Sequence, residues 1–113
     1  MKLHELASQV VIDPRKLTEY ALNPDAPLGR YKARVFEQAL GYTHENYQHL
    51  LRQIETHAPE AEVHFHSRDE SGHRYTADLQ IEGPAGQRAI VRTGWFVPEG
   101  EDEVRLATLW VKG

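Results

Sequence analysis

The stretch "HRYTADLQIEGPAGQRAIVRTGWFV", residues 73–97, carries the pattern that decides the fold. Apolar and polar residues alternate over residues 74–81, which is typical of a β-strand with one buried face. The apolar members are Tyr75, Ala77, Leu79 and Ile81. A turn sequence, "GPAG" at 83–86, then leads into a second predicted strand over residues 89–97. The stretch therefore predicts two long neighbouring strands joined by a tight turn.

The same period of two residues continues on both sides of this pair. Val63 and Phe65 alternate with polar residues and predict an earlier strand. A last strand is predicted over residues 104–111, after a polar loop at 98–103. Four strands that follow one another directly along the chain favour an antiparallel sheet.

Three helices are predicted before the strands. The first starts with Asp13 as N-cap and Pro14 in the first turn, and "NP" at 23–24 stops it. The second covers residues 28–40 with Gly41 at its C-terminus, and the third is capped by Thr43 and stopped by "AP" at 58–59. The predicted buried residues are Leu17, Tyr20, Ala21, Ala33, Phe36, Leu40, Tyr47, Leu50, Leu51 and Ile54. The expected fold class is α+β, with N-terminal helices packed on one face of a four-stranded antiparallel sheet.

Length and composition limit the classes of protein that fit. The 113 residues are expected to form one domain, 1–113, and the absence of cysteine excludes disulfides and thiolate metal sites. The sequence shows no secretion signal and no apolar stretch long enough to span a membrane. A net charge of −4 argues against a broad surface for nucleic-acid phosphates but leaves room for a local basic pocket.

The start of the second predicted helix carries an unusual charge pattern. Arg30, Lys32 and Arg34 occupy its first turns, where the helix dipole favours acidic residues. One interpretation is a set of surface cations whose stems cover apolar area, and it is favoured about two to one from charge alone. The other is an anion site, because helix N–H groups and cations beside a rigid proline loop suit a phosphate.

A second group of polar residues is expected on the sheet. Arg74 and Thr76 lie on one strand, Arg92 and Thr93 on the next, and Thr108 on the last. A polar solvated face is the usual explanation of such residues. Both tryptophans, Trp95 and Trp110, are expected in the core about three to one over a role in base stacking.

Histidines are frequent, but their spacing does not indicate a metal site. His64 and His66 share one face of a strand and could chelate a metal together. No acidic residue or histidine stands at a spacing that indicates a third ligand, so a zinc site at this pair is not the favoured interpretation. We expect no metal and no cofactor.

Several ordered segments resemble a family of small bacterial toxin domains. These segments are "VIDPRKLTEYALNPDAPLG", "KARVFEQALGY", the lone Asn46, "HRYTADLQIEGPAGQ", "VRTGW" and "LATLWVK". The family's domains form the C-termini of polymorphic proteins such as contact-dependent inhibition, filamentous-haemagglutinin-like and Rhs exoproteins. The order of helices and strands also resembles the Barnase–EndoU–Colicin–RelE group of ribonucleases, which is an analogy of fold.

This resemblance implies a metal-independent ribonuclease toxin that acts on RNA, with tRNA among the candidate substrates, in competition between bacteria. It implies secretion within a larger exoprotein, delivery into the cytoplasm of a target cell, and a cognate immunity protein as partner. No membrane partner and no metal are implied. The chemistry is attack of a ribose 2′-hydroxyl on the adjacent phosphate, which needs a base, an acid and cations.

The resemblance also assigns roles to residues. In the family pattern, the loop before the second helix reads Asn-Pro-x-His-Pro, and the histidine position here is Ala26. Alanine cannot transfer a proton. One explanation is that the chain is a deliberately inactivated variant of a toxin too harmful to produce intact; the other is that it is a naturally degenerate member, or that the histidine is not catalytic in the family. The first explanation is favoured.

The remaining expected site residues are divided between catalysis and binding. The expected catalytic residues are Lys32, Arg74, Thr93 and Thr108, and the expected substrate-binding residues are Arg30, Arg92, Tyr75 and Trp95. Lys32, Arg30, Arg74 and Arg92 contact phosphate, while Thr93 or Thr108 orients it by hydrogen bonds. Tyr75 and Trp95 complete the set, although strand alternation favours a core position for Tyr75, and the core interpretation is also favoured for Trp95.

Two rival functions stay open at this point. One is a toxin that acts on NAD or on a nucleotide, which also requires cations and an aromatic residue. The other is a non-catalytic module that binds a protein, and the negative net charge and Ala26 slightly favour it.

Overall fold

The structure is a computed structural model and describes residues 1–27 and 29–112. Its regular elements are β1 (Gln9–Val11), a π-helical segment (Lys16–Ala21), α1 (Arg30–Leu40), α2 (Tyr47–His57), β2 (His64–Asp69), β3 (Gly72–Glu82), β4 (Arg88–Pro98) and β5 (Glu103–Val111). Short 3₁₀ turns at Leu3–Glu5 and Ala58–Glu60 precede β1 and follow α2. None of the helices in these residues is long and apolar enough to cross a membrane.

The predicted fold class is wrong, because the sheet has five strands and is mixed. Its order is β1-β5-β4-β3-β2, with β1 parallel to β5 and the other neighbours antiparallel. Only three residues of β1 pair, Val10 lying opposite Val104. Ser8 holds the start of β1, since its backbone N–H donates to Asp102 Oδ1 at 3.0 Å and its hydroxyl also donates to that carboxylate. A strand this short carries too little periodicity to be found before its partner is known.

The helices and the sheet share one core. The predicted stripe of α1 is confirmed, as Ala33, Phe36 and Leu40 are buried. The α2 residues Leu50 and Ile54 are fully buried. The strand residues of the core are Ala77, Leu79, Ile81, Val91, Trp95, Val104, Leu106 and Leu109. The core therefore joins helical residues to the apolar positions of the strands.

The helix ends differ from the prediction at several points. Asp13 as N-cap of the first helix is wrong, because the π-helical segment begins only at Lys16. The start of α1 is Arg30, and the predicted start at Leu28 lies outside the described residues. Gly41 ends α1 with a φ of 76°, the left-handed conformation expected of a C-terminal glycine. Thr43 as the cap of the next helix is wrong: α2 begins at Tyr47, and Thr43 instead belongs to a turn that the Asn46 side chain holds.

Candidate functional site

Lys32 lies at the centre of a polar group where α1 meets β5. Its Nζ donates to the hydroxyl of Tyr20 at 2.9 Å and to Oγ1 of Thr108 at 3.2 Å. The same nitrogen lies 4.8 Å from the ring centroid of Tyr20 and 5.2 Å from that of Trp110. We call Tyr20, Lys32, Thr108 and Trp110 the Lys32 cluster. Two of the expected site residues, Lys32 and Thr108, thus lie together.

Three elements position the cluster. Tyr20 comes from the π-helical segment, Lys32 from α1, and Thr108 and Trp110 from one face of β5. Gly94 of β4 lies directly opposite Thr108. A Cβ at Gly94 would approach the Thr108 methyl to 2.8 Å, so glycine is what gives Thr108 its room.

The charge of Lys32 is not balanced by a carboxylate. None of the ion pairs between described residues includes Lys32, and both of its hydrogen-bond acceptors are neutral hydroxyls. The hydrogen bond from Lys32 lowers the pKa of the Tyr20 phenol, and burial opposes this by raising it. The cluster is therefore a partly buried positive site with aromatic walls.

The two expected sheet arginines share a groove with the cluster, but both are paired. The groove has a volume of about 390 Å³ and is lined by His66, Arg74, Tyr75, Thr76, Arg92, Gly94, Trp95, Ala107, Thr108 and Trp110. Arg74 forms an ion pair with Asp69 at 2.8 Å, and Arg92 forms one with Asp78 at 2.8 Å. An anion in this groove competes with those carboxylates at the arginines, whereas at Lys32 it competes with hydroxyls.

Three of the expected site residues are buried, namely Ala26, Thr93 and Trp95, and the last two carry polar side-chain atoms. Thr93 is 0% exposed, and its hydroxyl donates to the Ala77 carbonyl at 2.7 Å. The same hydroxyl accepts the indole N–H of Trp95 at 2.6 Å. Trp95 is 1% exposed, which confirms its favoured core interpretation. We leave both residues out of the proposed site, because their polar atoms already serve the core.

The other expected residues lie outside the cluster, and Arg30 lines a separate cavity with Ala33 and Arg34. Ala26 is 8% exposed, and its carbonyl accepts the N–H groups of Gly29 and Arg30 where α1 begins. Arg30 is exposed, with its guanidinium 5.0 Å from the ring of Tyr31. Tyr75 is half-buried on β3 and meets the ring of Phe65 edge-on at 5.9 Å. Ala26 and Arg30 share the N-terminal end of α1 with the cluster, and Tyr75 lines the groove.

Sequence reasoning missed two members of the cluster. It placed Tyr20 on the buried face of a helix and Trp110 in the core, whereas both are half-buried. Tyr20 lies 12 positions before Lys32, and Thr108 lies 76 positions after it. The helical stripe pointed to burial of Tyr20 and gave no sign of its hydroxyl contact with Lys32.

Metal ligands are not assembled in the described part of the chain. No three side chains of His, Asp or Glu there are grouped in a way that could hold a metal ion. His64 and His66 are exposed on β2, an edge strand of the sheet.

The fold and the cluster define a small domain with a mixed sheet and a cation-lined site at the junction of α1 and β5. Residues 2–113 match the family described as "Domain of unknown function (DUF6883)", and the chain belongs to that family. No curated protein and no solved structure matches it.

Proposed function

We propose that this protein belongs to the metal-independent ribonuclease toxins of bacterial competition, and that Ala26 makes this chain an inactivated variant. The observation that carries the proposal is the ammonium of Lys32, held by two hydroxyls and paired with no carboxylate of the described residues. An RNA phosphate can take the place of a hydroxyl there and gains a charge-assisted hydrogen bond. The groove of Arg74 and Arg92 extends this site across the sheet.

The reaction assigns a distinct task to each group. The ribose 2′-oxygen bonds to phosphorus, the bond from phosphorus to the 5′-oxygen breaks, and a cyclic phosphate remains. A base takes the 2′-proton, and an acid supplies a proton to the leaving oxygen. Lys32 stabilises the negative charge that builds up on the phosphate. Position 26 is the position of the proton-transfer histidine, a role that alanine cannot perform.

The same proposal assigns a setting and a partner. The domain is delivered into a target cell as part of a larger exoprotein, and its producer protects itself with an immunity protein. Acidic residues on that partner would cover the Lys32 cluster, because complementary charge favours fast and specific association.

The first experiment compares RNA cleavage by four purified proteins in the presence of a chelator. They are the chain as it stands, Ala26→His, Ala26→His with Lys32→Met, and Ala26→His with Arg34→Met. Arg34 is the matched control, because it is an exposed cation on the same helix. We expect cleavage only by the two proteins that carry Ala26→His and keep Lys32, with cyclic phosphate at the product ends. The circular dichroism of all four proteins checks their folding.

Other outcomes separate the rival functions. Intact RNA with folded Ala26→His protein contradicts the ribonuclease proposal. Release of nicotinamide from NAD by that protein would then support a toxin that acts on NAD. Harmless expression in cells together with capture of one protein partner would support a binding module.

A further inference from the structure

A second cavity lies on the other side of Lys32, between the outer face of α1 and the end of β5. It has a volume of about 410 Å³ and is lined by Tyr31, Lys32, Val35, Trp110 and Val111, which we call the aromatic slot. Tyr31 and Val35 are one helical turn apart and are 63% and 41% exposed. Helix α1 thus presents two large apolar side chains to solvent that do not pack in the core.

The lining of the slot combines aromatic surface with one cation. Among the described residues that line it, Lys32 is the one charged side chain. Trp110 lines both the slot and the groove across the sheet, so its indole lies between the two spaces. A ligand in the slot therefore contacts an aromatic face and lies within reach of the Lys32 ammonium.

We propose that the aromatic slot binds one base of a single-stranded RNA whose adjacent phosphate lies at Lys32. The proposal rests on the proposed function, because it names the part of the RNA that is bound beside the phosphate site. A base offers a flat π-face to Trp110 and Tyr31, and every base has such a face. The slot is consequently a subsite for single-stranded RNA with little preference for sequence.

Continuity with the phosphate site favours a base over an apolar side chain of a protein partner. Lys32 lines the slot and also belongs to the cluster that would bind phosphate. A nucleotide carries its base and its phosphate on one sugar and satisfies both demands together. An apolar protein side chain fills the slot but leaves the ammonium without an anion.

Tryptophan fluorescence tests the proposal directly, because the chain has two tryptophans in different surroundings. Trp95 is 1% exposed, while Trp110 is half-buried and lines the slot. We titrate the protein with a short 2′-O-methyl oligonucleotide, which cannot be cleaved because its nucleophilic hydroxyl is blocked. We expect quenching of Trp110, and Trp110→Phe to remove the quenching while the oligonucleotide still binds.

Substitutions and a modified probe separate the base from the backbone. Tyr31→Ser and Trp110→Ala are each expected to weaken binding by about tenfold to a hundredfold, the range for loss of one stacking contact. Phe65→Ser is the matched control, since Phe65 is also 63% exposed but lies on β2. An oligonucleotide of the same length without bases should bind the unchanged protein weakly. Its affinity should match that of the normal oligonucleotide for the Tyr31→Ser protein.

Three results would contradict base binding in the aromatic slot. The first is that the oligonucleotide without bases binds the unchanged protein as tightly as the normal one does. The others are that Tyr31→Ser and Phe65→Ser change affinity equally, and that no oligonucleotide binds. Capture of a protein partner that Tyr31→Ser abolishes, with no oligonucleotide binding, would assign the slot to that partner instead. Quenching of Trp110 without RNA cleavage by the Ala26→His protein would support the base subsite and contradict the ribonuclease proposal. RNA cleavage that Tyr31→Ser leaves unchanged would support the ribonuclease proposal and contradict the base subsite.

Discussion

Lys32 differs from the other cations near the site in the groups that hold it. Arg92 donates two hydrogen bonds to Asp78, at 2.8 and 3.0 Å, so its charge is largely compensated. Lys32 instead donates to the neutral oxygens of Tyr20 and Thr108. A neutral acceptor satisfies the geometry of an N–H group without cancelling the charge, which is why Lys32 is the stronger candidate for binding an anion.

The contact between Lys32 and Tyr20 predicts a measurable titration. Lys32 stabilises the phenolate and lowers the pKa of Tyr20, so Lys32→Met should raise that pKa as burial becomes the leading influence. Absorbance of the phenolate band against pH, taken as the difference from a Tyr20→Phe protein, measures it. Lys16→Met is the control, since the charge of Lys16 lowers the pKa of Tyr20 less than Lys32 does. Equal titration of Tyr20 in both lysine variants would contradict the contact.

The buried hydroxyl of Thr93 predicts an effect on stability. Thr93→Val keeps the shape but leaves the Trp95 indole N–H and the Ala77 carbonyl without this partner. The free energy of unfolding should fall by about 1–3 kcal/mol, the range for a buried polar group left unsatisfied. Urea unfolding measures the loss, and Thr93→Ser, which keeps the hydroxyl, should lose less. An equal free energy of unfolding for Thr93→Val and Thr93→Ser would show that the Thr93 hydroxyl does not stabilise the core.

Among the elements, β1 depends most on contacts outside itself. It pairs through three residues with β5, and Asp102, which precedes β5, accepts hydrogen bonds from Ser8. The hydrogen bonds from the Ser8 hydroxyl and N–H lower the pKa of Asp102 below its ordinary 3.8. A carboxyl with a lowered folded pKa adds stability above its unfolded pKa and loses it as pH falls through the folded value.

Acid should therefore release β1 before the rest of the sheet. We expect the backbone amides of β1 to lose protection from hydrogen exchange as pH falls below the ordinary pKa of Asp102, while β3 and β4 keep theirs. Asp102→Ala should show the same loss at neutral pH, because both carboxylate oxygens that accept from Ser8 are gone. Glu101→Ala is the control: it is acidic and adjacent, but its contacts are with Arg105. Unchanged protection of β1 in Asp102→Ala would exclude this role.

For the molecule as a whole, the distribution of charge decides where an anion can bind. The net charge is −4, and both arginines of the groove are paired with carboxylates: Arg74 with Asp69, and Arg92 with Asp78, which also binds Lys112. Lys32 lies beside this groove on α1 and has no carboxylate partner among the described residues. A site of this kind binds a few phosphates locally and does not attract RNA from a distance.

Asp78→Asn should strengthen binding of the 2′-O-methyl oligonucleotide, since it frees two cations in one step. The logarithm of affinity should also fall more steeply with the logarithm of salt concentration, because each added phosphate contact releases counterions. Titrations at several salt concentrations measure both quantities. Asp69→Asn frees Arg74 alone and should have the smaller effect. Weaker binding in Asp78→Asn would place the RNA path elsewhere on the surface.

The parts predicted well from the sequence are those that depend on neighbouring residues. The alternation over residues 74–81 and the turn "GPAG" predicted β3 and its connection to β4, because side chains one and two positions apart decide which face of a strand is buried. The stripe of Ala33, Phe36 and Leu40 predicted the buried face of α1 for the same reason.

The sequence by itself therefore determined the long strands, the core of α1 and the candidacy of Lys32 and Thr108. Only the tertiary structure decided that β1 joins β5, which made the sheet mixed, and that the Thr93 hydroxyl serves the core. It also decided that Tyr20, Lys32 and Thr108 meet at one ammonium. The physical reason is distance along the chain. β1 and the Lys32 cluster depend on partners that are far apart in sequence and that packing brings together, and the spacing of apolar residues within one segment does not indicate such partners.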